Sequence, residues 1–171
     1  IGKKSKINPH SHISMSHIGN TCKVGGEIEE SVICDFSNKQ HHGYLGNSFV
    51  GSWVNIGAGT TNSDLKNTYG QIKVKDGEGN KIHTGEVFIG CVIGDFSKTA
   101  INTTIYTGKI IGTNSHIEGT IKEDIPDFMM FDKEFDLKKA IEIQRRMFER
   151  RKKKQTEKDI MILKRAYKNR K

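Results

Sequence analysis

The chain has few of the residues with which proteins usually fill a broad core. Only 34% of its 171 residues are hydrophobic, 8% are aromatic, and Trp53 is the single tryptophan. This composition excludes a wide two-layer core of bulky side chains, but it suits a narrow core lined by single aliphatic residues. With 18 glycines and two prolines, the chain is neither collagen-like nor a disordered linker, and it favours a fold that turns often.

Disulfide frameworks and metal sites are also poorly supported. Cys22, Cys34 and Cys91 are odd in number, widely spaced and outside any CxxC or zinc-ligand pattern. We expect them to be small core or surface residues in a reducing cytoplasm, and we expect no protein-bound metal. No apolar run has the length of a membrane span, so no membrane partner is expected. The chain begins at Ile1, already inside the repeat described below, which predicts that it is a piece of a longer protein.

Positive charge is in excess, but it is confined to the C-terminal part. Residues 132–171 contain 16 lysines and arginines against 7 acidic residues, whereas residues 1–131 contain 12 against 13. A neutral main domain is not the footprint of a nucleic-acid-binding protein, so no nucleic acid is expected as partner. The basic run 150–154 is predicted to be a solvated turn, and contact with RNA or an anionic membrane is the alternative.

A repeat of six residues is the main signal of the sequence. It runs without a break through Ile93, Thr99, Ile105, Ile111 and Ile117, and it starts at Ile1, Ile7 and Ile13. Six fits neither the 3.6-residue period of an α-helix nor the two-residue period of an amphipathic strand. It fits a triangular coil in which each short face contributes one inward aliphatic residue. We therefore predict an all-β fold, a left-handed parallel β-helix over residues 1–125. A β-sandwich, with a turn every 8–12 residues, is the weaker alternative.

The repeat is interrupted by a polar excursion at residues 61–86. Asp76-Gly77 and Gly79-Asn80 predict a hairpin there, in which residues 72–74 pair back toward Ile82. An excursion from a regular coil is where repeat proteins usually place binding residues.

Residues 126–171 predict a hydrophobic cap followed by an α-helical hairpin tail. Apolar residues have helical spacing over residues 136–152, and Thr156 with Asp159 reads as the capping box of a second helix. The hairpin is expected to pack against the coil or a neighbouring subunit.

Residues 37–67 contain the most specific motif. A histidine, His41, precedes Tyr44-Leu45-Gly46 by three residues, and Val54-Asn55-Ile56-Gly57-Ala58-Gly59-Thr60 follows. In this order and spacing, the motif resembles that of the acetyltransferase half of the bacterial bifunctional N-acetylglucosamine-1-phosphate uridylyltransferase/glucosamine-1-phosphate acetyltransferase and its archaeal and Bacteroidetes-type relatives. The likeness spans about residues 1–125. It implies a homotrimer, acetyl-CoA as cosubstrate, and a phosphorylated or nucleotide-linked sugar as acceptor.

The resemblance also implies roles for individual residues. His41 is the expected general base, because an amine attacks a thioester only when it is unprotonated. Tyr44 and Asn55 are expected to hold the sugar phosphate, and the backbone of Ala58 is expected to face the thioester, where an N–H stabilises the oxyanion. His42 is the alternative base, and two surface histidines without a catalytic role are the remaining interpretation.

Three lysines are candidate phosphate ligands. Lys66, in the excursion, is expected to contact a substrate phosphate, and Lys98 and Lys109 the phosphates of CoA. A solvated surface lysine is an equal alternative at each position. Glu29 and Glu30 stand where the family has basic residues, and a carboxylate there repels a phosphate. The acceptor is therefore expected to differ from glucosamine 1-phosphate, or acetyl transfer to be lost.

The function predicted from the sequence is N- or O-acyl transfer from acetyl-CoA to a sugar in the cytoplasm. The alternative is a non-catalytic trimerisation or regulatory module for an upstream sugar-1-phosphate nucleotidyltransferase domain. The glycine-rich phosphate loop which that reaction needs is not in these 171 residues.

Overall fold

In the computed structural model, residues 1–170 form a parallel β-solenoid of about seven turns followed by two helices. The strands have two or three residues, and those of the coil pair in parallel with the strands one turn away. The predicted coil of short strands and the predicted C-terminal helical hairpin are both confirmed.

The coil has three faces, and its strands are numbered in chain order. Face A consists of β1 (Lys6–Ile7), β4 (Lys23–Val24), β7 (Asn38–Lys39), β10 (Asn55–Ile56), β15 (Lys98–Thr99), β18 (His116–Ile117) and β20 (Met129–Met130). Face B consists of β2 (His12–Ser14), β5 (Glu27–Glu29) and β8 (Tyr44–Gly46), continued by β11 (Thr61–Asn62), β16 (Thr104–Ile105) and β19 (Thr120–Ile121). Face C consists of β3 (His17–Ile18), β6 (Val32–Ile33), β9 (Phe49–Val50), β14 (Cys91–Ile93) and β17 (Lys109–Ile111).

Single aliphatic side chains from each face form the narrow core. The five residues of the uninterrupted repeat, from Ile93 to Ile117, are all buried, as the spacing predicts. Ile1 and Ile7 keep the same spacing but are exposed, because the first turn has a neighbouring turn on one side only. Burial of one aliphatic group per face suits the low hydrophobic content of the chain.

The corner before face A has the same backbone conformation in every turn. A non-glycine residue with φ between 55° and 64° lies one or two positions before each strand of face A, at Lys4, Thr21, Phe36, Trp53, Phe96, Asn114 and Phe128. This left-handed conformation costs L-residues roughly 1–2 kcal/mol each. Its recurrence in seven successive turns shows that the coil geometry requires it at this corner.

Helix α1 (Leu137–Arg150) packs against this corner. Asp136 caps the helix, its side chain accepting a hydrogen bond from the Lys139 amide. Near the other end, Phe148 contacts Trp53, with ring centroids 4.5 Å apart, and Trp53 stacks on Phe36 at 4.4 Å. The tail therefore docks on the coil through an aromatic cluster.

Helix α2 (Glu157–Lys168) completes the hairpin. Its predicted capping box is confirmed, because the Thr156 and Asp159 side chains each bond the other residue's backbone amide. Phe128 and Phe135 at the end of the coil pack with both helices in a second apolar cluster. A last strand, β21 (Lys133–Glu134), pairs antiparallel with β20. Within residues 1–170, neither helix is long and apolar enough to cross a bilayer.

The excursion leaves the coil after Asn62. Thr61 and Asn62 still form β11, so it begins slightly later than the predicted start at residue 61. The predicted hairpin is confirmed: β12 (Lys73–Lys75) and β13 (Lys81–His83) pair antiparallel, with Val74 opposite Ile82. The chain returns to the coil at Cys91.

Candidate active site

His41 and His42 lie in the loop between β7 and β8, at the corner between faces A and B. Both are exposed, and neither imidazole makes a hydrogen bond within residues 1–170. Their backbone is held instead: the His41 carbonyl accepts from Lys39 Nζ at 2.7 Å, and the His42 carbonyl accepts from the Gly59 amide at 3.1 Å. The loop thus has a fixed backbone and two imidazoles available to a ligand.

Lys39 occupies a core position of the coil. It stacks between Val24 and Ile56 in the inward column of face A and is 2% exposed. Its Nζ donates to the carbonyls of Gly25, at 3.0 Å, and of His41. Burial lowers the pKa of Lys39 to about 8, and the negative charge of Glu27 raises the pKa by a smaller amount. Lys39 was not among the residues predicted for the site, although it is the buried charge nearest to the histidine loop in sequence.

The turn at residues 57–60 places a free amide beside this loop. The amides of Gly57, Gly59 and Thr60 donate to Thr99 Oγ1, the His42 carbonyl and the Gly57 carbonyl respectively. The amide of Ala58 has no such acceptor within residues 1–170. An unpaired N–H next to a histidine loop is the arrangement that an oxyanion requires.

Glycine is strongly favoured at position 59. Its φ is +75°, and a Cβ would come within 2.1 Å of Asn102 Oδ1 and 3.3 Å of His42 Nε2. The His42 ring therefore lies along the Gly59 backbone, close to the turn that contains Ala58.

Tyr44 lies on face B in a network with the excursion. Its hydroxyl donates to Asp64 Oδ2 at 2.7 Å, and Asn47 Nδ2 donates to the same oxygen at 2.9 Å. Burial, followed by the hydrogen bond to Asp64, raises the pKa of Tyr44 well above its usual value. Tyr44 is therefore a neutral phenol that joins the coil to the excursion.

The surroundings of Tyr44 are acidic. Glu27, on β5, lies opposite Tyr44 in the strand register. Glu29 is also on β5, and its Oε1 lies 3.2 Å from His12 Nε2. Together with Asp64 these carboxylates make face B unfavourable for a phosphate group. Lys66, the predicted phosphate ligand nearby, donates from Nζ to the Gln71 carbonyl at 2.6 Å, inside the excursion.

Asn55 and Lys98 lie next to each other on the outer side of face A. Both line a cavity of about 290 Å³ between face A and α1. Lys98 Nζ donates to the Phe96 carbonyl at 2.9 Å, and burial lowers the pKa of Lys98 to about 8. Lys109 lies on face C, so the structure does not bring the two predicted CoA ligands together.

The predicted substrate residues are also divided between faces. Tyr44 is on face B and Asn55 on face A, with the histidine corner between them. Within residues 1–170, no group of three or more histidine, cysteine or acidic side chains is arranged to hold a metal ion.

Comparison with known sequences identifies bifunctional proteins among the relatives of the chain. The bifunctional protein GlmU of Synechococcus elongatus is 33% identical over 132 residues, which is 74% of the chain and 25% of GlmU. The bifunctional sugar-1-phosphate nucleotidylyltransferase/acetyltransferase of Sulfurisphaera tokodaii is 37% identical over 97 residues, 56% of the chain and 24% of that protein. The chain thus spans about a quarter of the length of these relatives. No protein-family model matches it.

Solved structures agree on the fold. The N-acyltransferase AntD of Bacillus cereus superposes with a TM-score of 0.58 at 14% identity, covering 89% of this chain and 90% of AntD. The acetyltransferase domain of PglB from Neisseria gonorrhoeae gives 0.55 at 17% identity, covering 72% of this chain and 51% of that domain. The fold is the left-handed parallel β-helix of hexapeptide acetyltransferases. In sequence and fold, the chain resembles the acetyltransferase region of the bifunctional sugar-1-phosphate nucleotidyltransferase/acetyltransferases.

Proposed function

We propose that the chain is an acyltransferase domain that moves an acetyl group from acetyl-CoA to an amino or hydroxyl group of a phosphorylated or nucleotide-linked sugar. The observation that carries the proposal is the bond between the His42 carbonyl and the Gly59 amide, which joins the histidine loop to the turn with the free Ala58 amide. A base and an oxyanion donor at one corner are the two groups that acyl transfer needs. AntD was solved with dTDP and 3-hydroxybutyryl-CoA, which supports a nucleotide-linked acceptor and an acyl-CoA donor.

The proposed reaction uses the residues of this corner. The acceptor nitrogen or oxygen attacks the thioester carbonyl carbon while His41 takes the proton that the attacking group loses. The Ala58 N–H stabilises the tetrahedral oxyanion. When the carbon–sulfur bond breaks, the CoA thiolate leaves and receives the proton from the His41 imidazolium. Tyr44 and Asn55 orient the acceptor, and the carboxylates around Tyr44 favour contact with the sugar there rather than with its phosphate.

A homotrimer is part of this proposal. Tyr44 and Asn55 lie on different faces of one coil, so a site containing both extends round the histidine corner or forms between face B of one copy and face A of another. A closed three-fold arrangement of triangular coils brings such faces together three times.

The test is a measurement of CoA release from acetyl-CoA with a panel of amino-sugar phosphates and nucleotide-linked amino sugars. We expect turnover with at least one acceptor, and a loss of about 10²–10⁴-fold in His41→Asn. His42→Asn tests the alternative base, because the His42 ring lies along the Gly59 backbone. Both imidazoles are exposed, so both variants should fold, and a larger loss in His42→Asn than in His41→Asn assigns the base to His42. An intact trimer that turns over no acceptor in the panel contradicts the enzyme assignment.

The alternative function is a non-catalytic trimerisation or regulatory module. The observation in its favour is the acidic surroundings of Tyr44, where Glu29 pairs with His12 instead of meeting a substrate phosphate. The acetyl-transfer measurement separates the two functions, because a scaffold releases no CoA from acetyl-CoA even if it binds the cofactor. An upstream nucleotidyltransferase domain, as the names of the relatives suggest, is compatible with either function.

A further inference from the structure

The cavity between face A and α1 is lined by positive charge on both sides. Lys23 and Lys98 come from the outer side of the coil, and Arg150 and Arg151 come from the C-terminal end of α1. Asn38 and Asn55 lie between them in the same outward column of the face. No aspartate or glutamate within residues 1–170 lines the cavity.

These four cations are not neutralised by any acidic group in the part of the chain that the structure describes. None of them takes part in an ion pair within residues 1–170. Within residues 1–170, one side-chain hydrogen bond joins the basic end of α1 to face A. Arg151 Nη2 donates to Asn38 Oδ1 at 2.8 Å, and this amide acceptor is neutral.

Two other arginines of α1, which lie outside the cavity, form ion pairs within the helix. Arg145 pairs with Glu149 at 2.6 Å, and Arg146 pairs with Glu142. The helix thus neutralises the arginines outside the cavity and leaves those inside it unneutralised. The partial negative charge at the C-terminus of α1 amounts to about half an elementary charge, too little to balance four cations.

Holding four like charges around a partly desolvated cavity costs free energy that an anion recovers on binding. Burial lowers the pKa of Lys98, so water screens the cavity poorly at this residue, whereas Lys23 and Arg150 are exposed at its mouth. Cations on opposite walls match a group with two linked phosphates better than a single phosphate. We propose that this cavity is a binding site for the diphosphate group of a ligand, held by Lys23 and Lys98 on one wall and Arg150 and Arg151 on the other.

Nucleotide-linked sugars and CoA both contain a diphosphate, so either is a possible source of the group. The proposal goes beyond acyl transfer: it concerns binding, and it stands or falls without turnover. The proposed site also differs from the phosphate contacts predicted for Asn55 and Lys98 alone, because two of its four cations, Arg150 and Arg151, come from the tail helix.

The test is calorimetry of the full chain with inorganic pyrophosphate, and then with CoA and with UDP. We expect pyrophosphate to bind more tightly than inorganic phosphate. Arg150→Gln/Arg151→Gln and Lys98→Gln should each weaken pyrophosphate binding by about tenfold or more, since charge-assisted hydrogen bonds are lost. Arg145→Gln/Arg146→Gln removes the same charge from the same helix outside the cavity and should bind like the wild type. Competition by CoA identifies CoA as the source, and competition by UDP identifies a nucleotide.

Three results overturn the proposal. They are the absence of pyrophosphate binding to the wild type at low salt, equal affinity for phosphate and pyrophosphate, and equal weakening in the control variant. If Arg150→Gln/Arg151→Gln displaces α1, seen as a shift in Trp53 fluorescence, Lys98→Gln decides, because it lies on the coil and leaves the tail unchanged. Retained pyrophosphate affinity in Lys98→Gln then counts against the site.

Discussion

Lys39 Nζ reaches from inside the coil to the backbone carbonyl of His41, at 2.7 Å. An ammonium in a column of aliphatic side chains loses its hydration, and two carbonyls among residues 1–170 replace the water. A methionine of similar length would fill the same column without this cost. The bond therefore fixes the position of the histidine loop, and the buried charge reduces the stability of the fold.

Lys39→Met is expected to separate stability from activity. The free energy of unfolding at pH 7 should stay equal or rise, because a buried charge is removed from the core. Acyl transfer should fall by about tenfold or more, since a small displacement of a catalytic group is costly to the rate. Urea unfolding and the rate of CoA release, measured on the same preparation, check both expectations.

Ile56→Met is the matched control for Lys39, because it changes the neighbouring residue of the same inward column. It should reduce stability slightly and leave the rate nearly unchanged. A Lys39→Met protein that is much less stable and fully active would show that Lys39 serves the core and not the loop.

Gly59→Ala should damage the corner in two ways. The new methyl group meets Asn102 Oδ1, and alanine must adopt a φ of +75°. The strain is expected to reduce the free energy of unfolding by about 1–3 kcal/mol and to lower acyl transfer. Urea unfolding of Gly59→Ala and of Gly59→Ala/Asn102→Gly separates the two causes. Glycine tolerates the φ of 55° at position 102, so the second protein relieves the contact and keeps only the backbone strain at position 59. If the double variant is no more stable than Gly59→Ala, the contact with Asn102 is not part of the cost.

His116 should make the protein sensitive to mild acid. Its Nε2 is buried and has no hydrogen-bond partner within residues 1–170, and burial, followed by the charges of Lys98 and Lys139, lowers its pKa from 6.5 to about 4. Between these values the unfolded chain binds a proton and the folded chain does not. The free energy of unfolding should therefore fall as the pH drops from 6.5 toward 4, by roughly 1–2 kcal/mol at pH 5.

His116→Gln should remove this part of the pH dependence, measured by urea unfolding at pH 7 and pH 5. His83→Gln, an exposed position on the hairpin of the excursion, should keep it. The same pH dependence in His116→Gln and in the wild type would rule out His116 as its source.

The fold could be predicted from the sequence because each turn repeats one packing requirement. Ile105 and Ile111 each satisfy that requirement locally, so their six-residue spacing is enough to place them in the core. The repeat also contained a signal for Lys39, which lies six residues after Ile33 and six before Leu45. A lysine in that register predicts a buried charge, but a search for aliphatic residues passes over it.

The cavity on face A could not be predicted in the same way. It depends on how α1 lies over the coil, and that contact joins residues as far apart in sequence as Asn38 and Arg151. Local periodicity predicts the helix and its apolar side, but not the face on which the helix docks. The run of basic residues at 150–154 predicts a solvated turn, and residues 152–154 are indeed exposed between the two helices. Periodicity does not predict that the side chains of Arg150 and Arg151 line a cavity.

The docking of α1 rests on Phe148, which is 6% exposed and contacts both Trp53 and Phe96. Phe148→Ala removes a ring from this cluster, and a loss of about 3–5 kcal/mol is typical for such a truncation. Because the coil keeps its own core, we expect the loss to release the tail and leave the solenoid folded. Hydrogen exchange should then accelerate in α1 and stay slow in face C.

Trp53 reports this release directly, since it is the single tryptophan and lies under Phe148. Its emission should shift to longer wavelength in Phe148→Ala, and pyrophosphate binding should be lost with it, because two of the four proposed ligands leave with the helix. Ile162→Ala, at an exposed position of α2, is the control and should change neither signal. Unchanged Trp53 emission and unchanged exchange in Phe148→Ala would mean that other contacts hold α1, and that the aromatic cluster is not what forms the cavity.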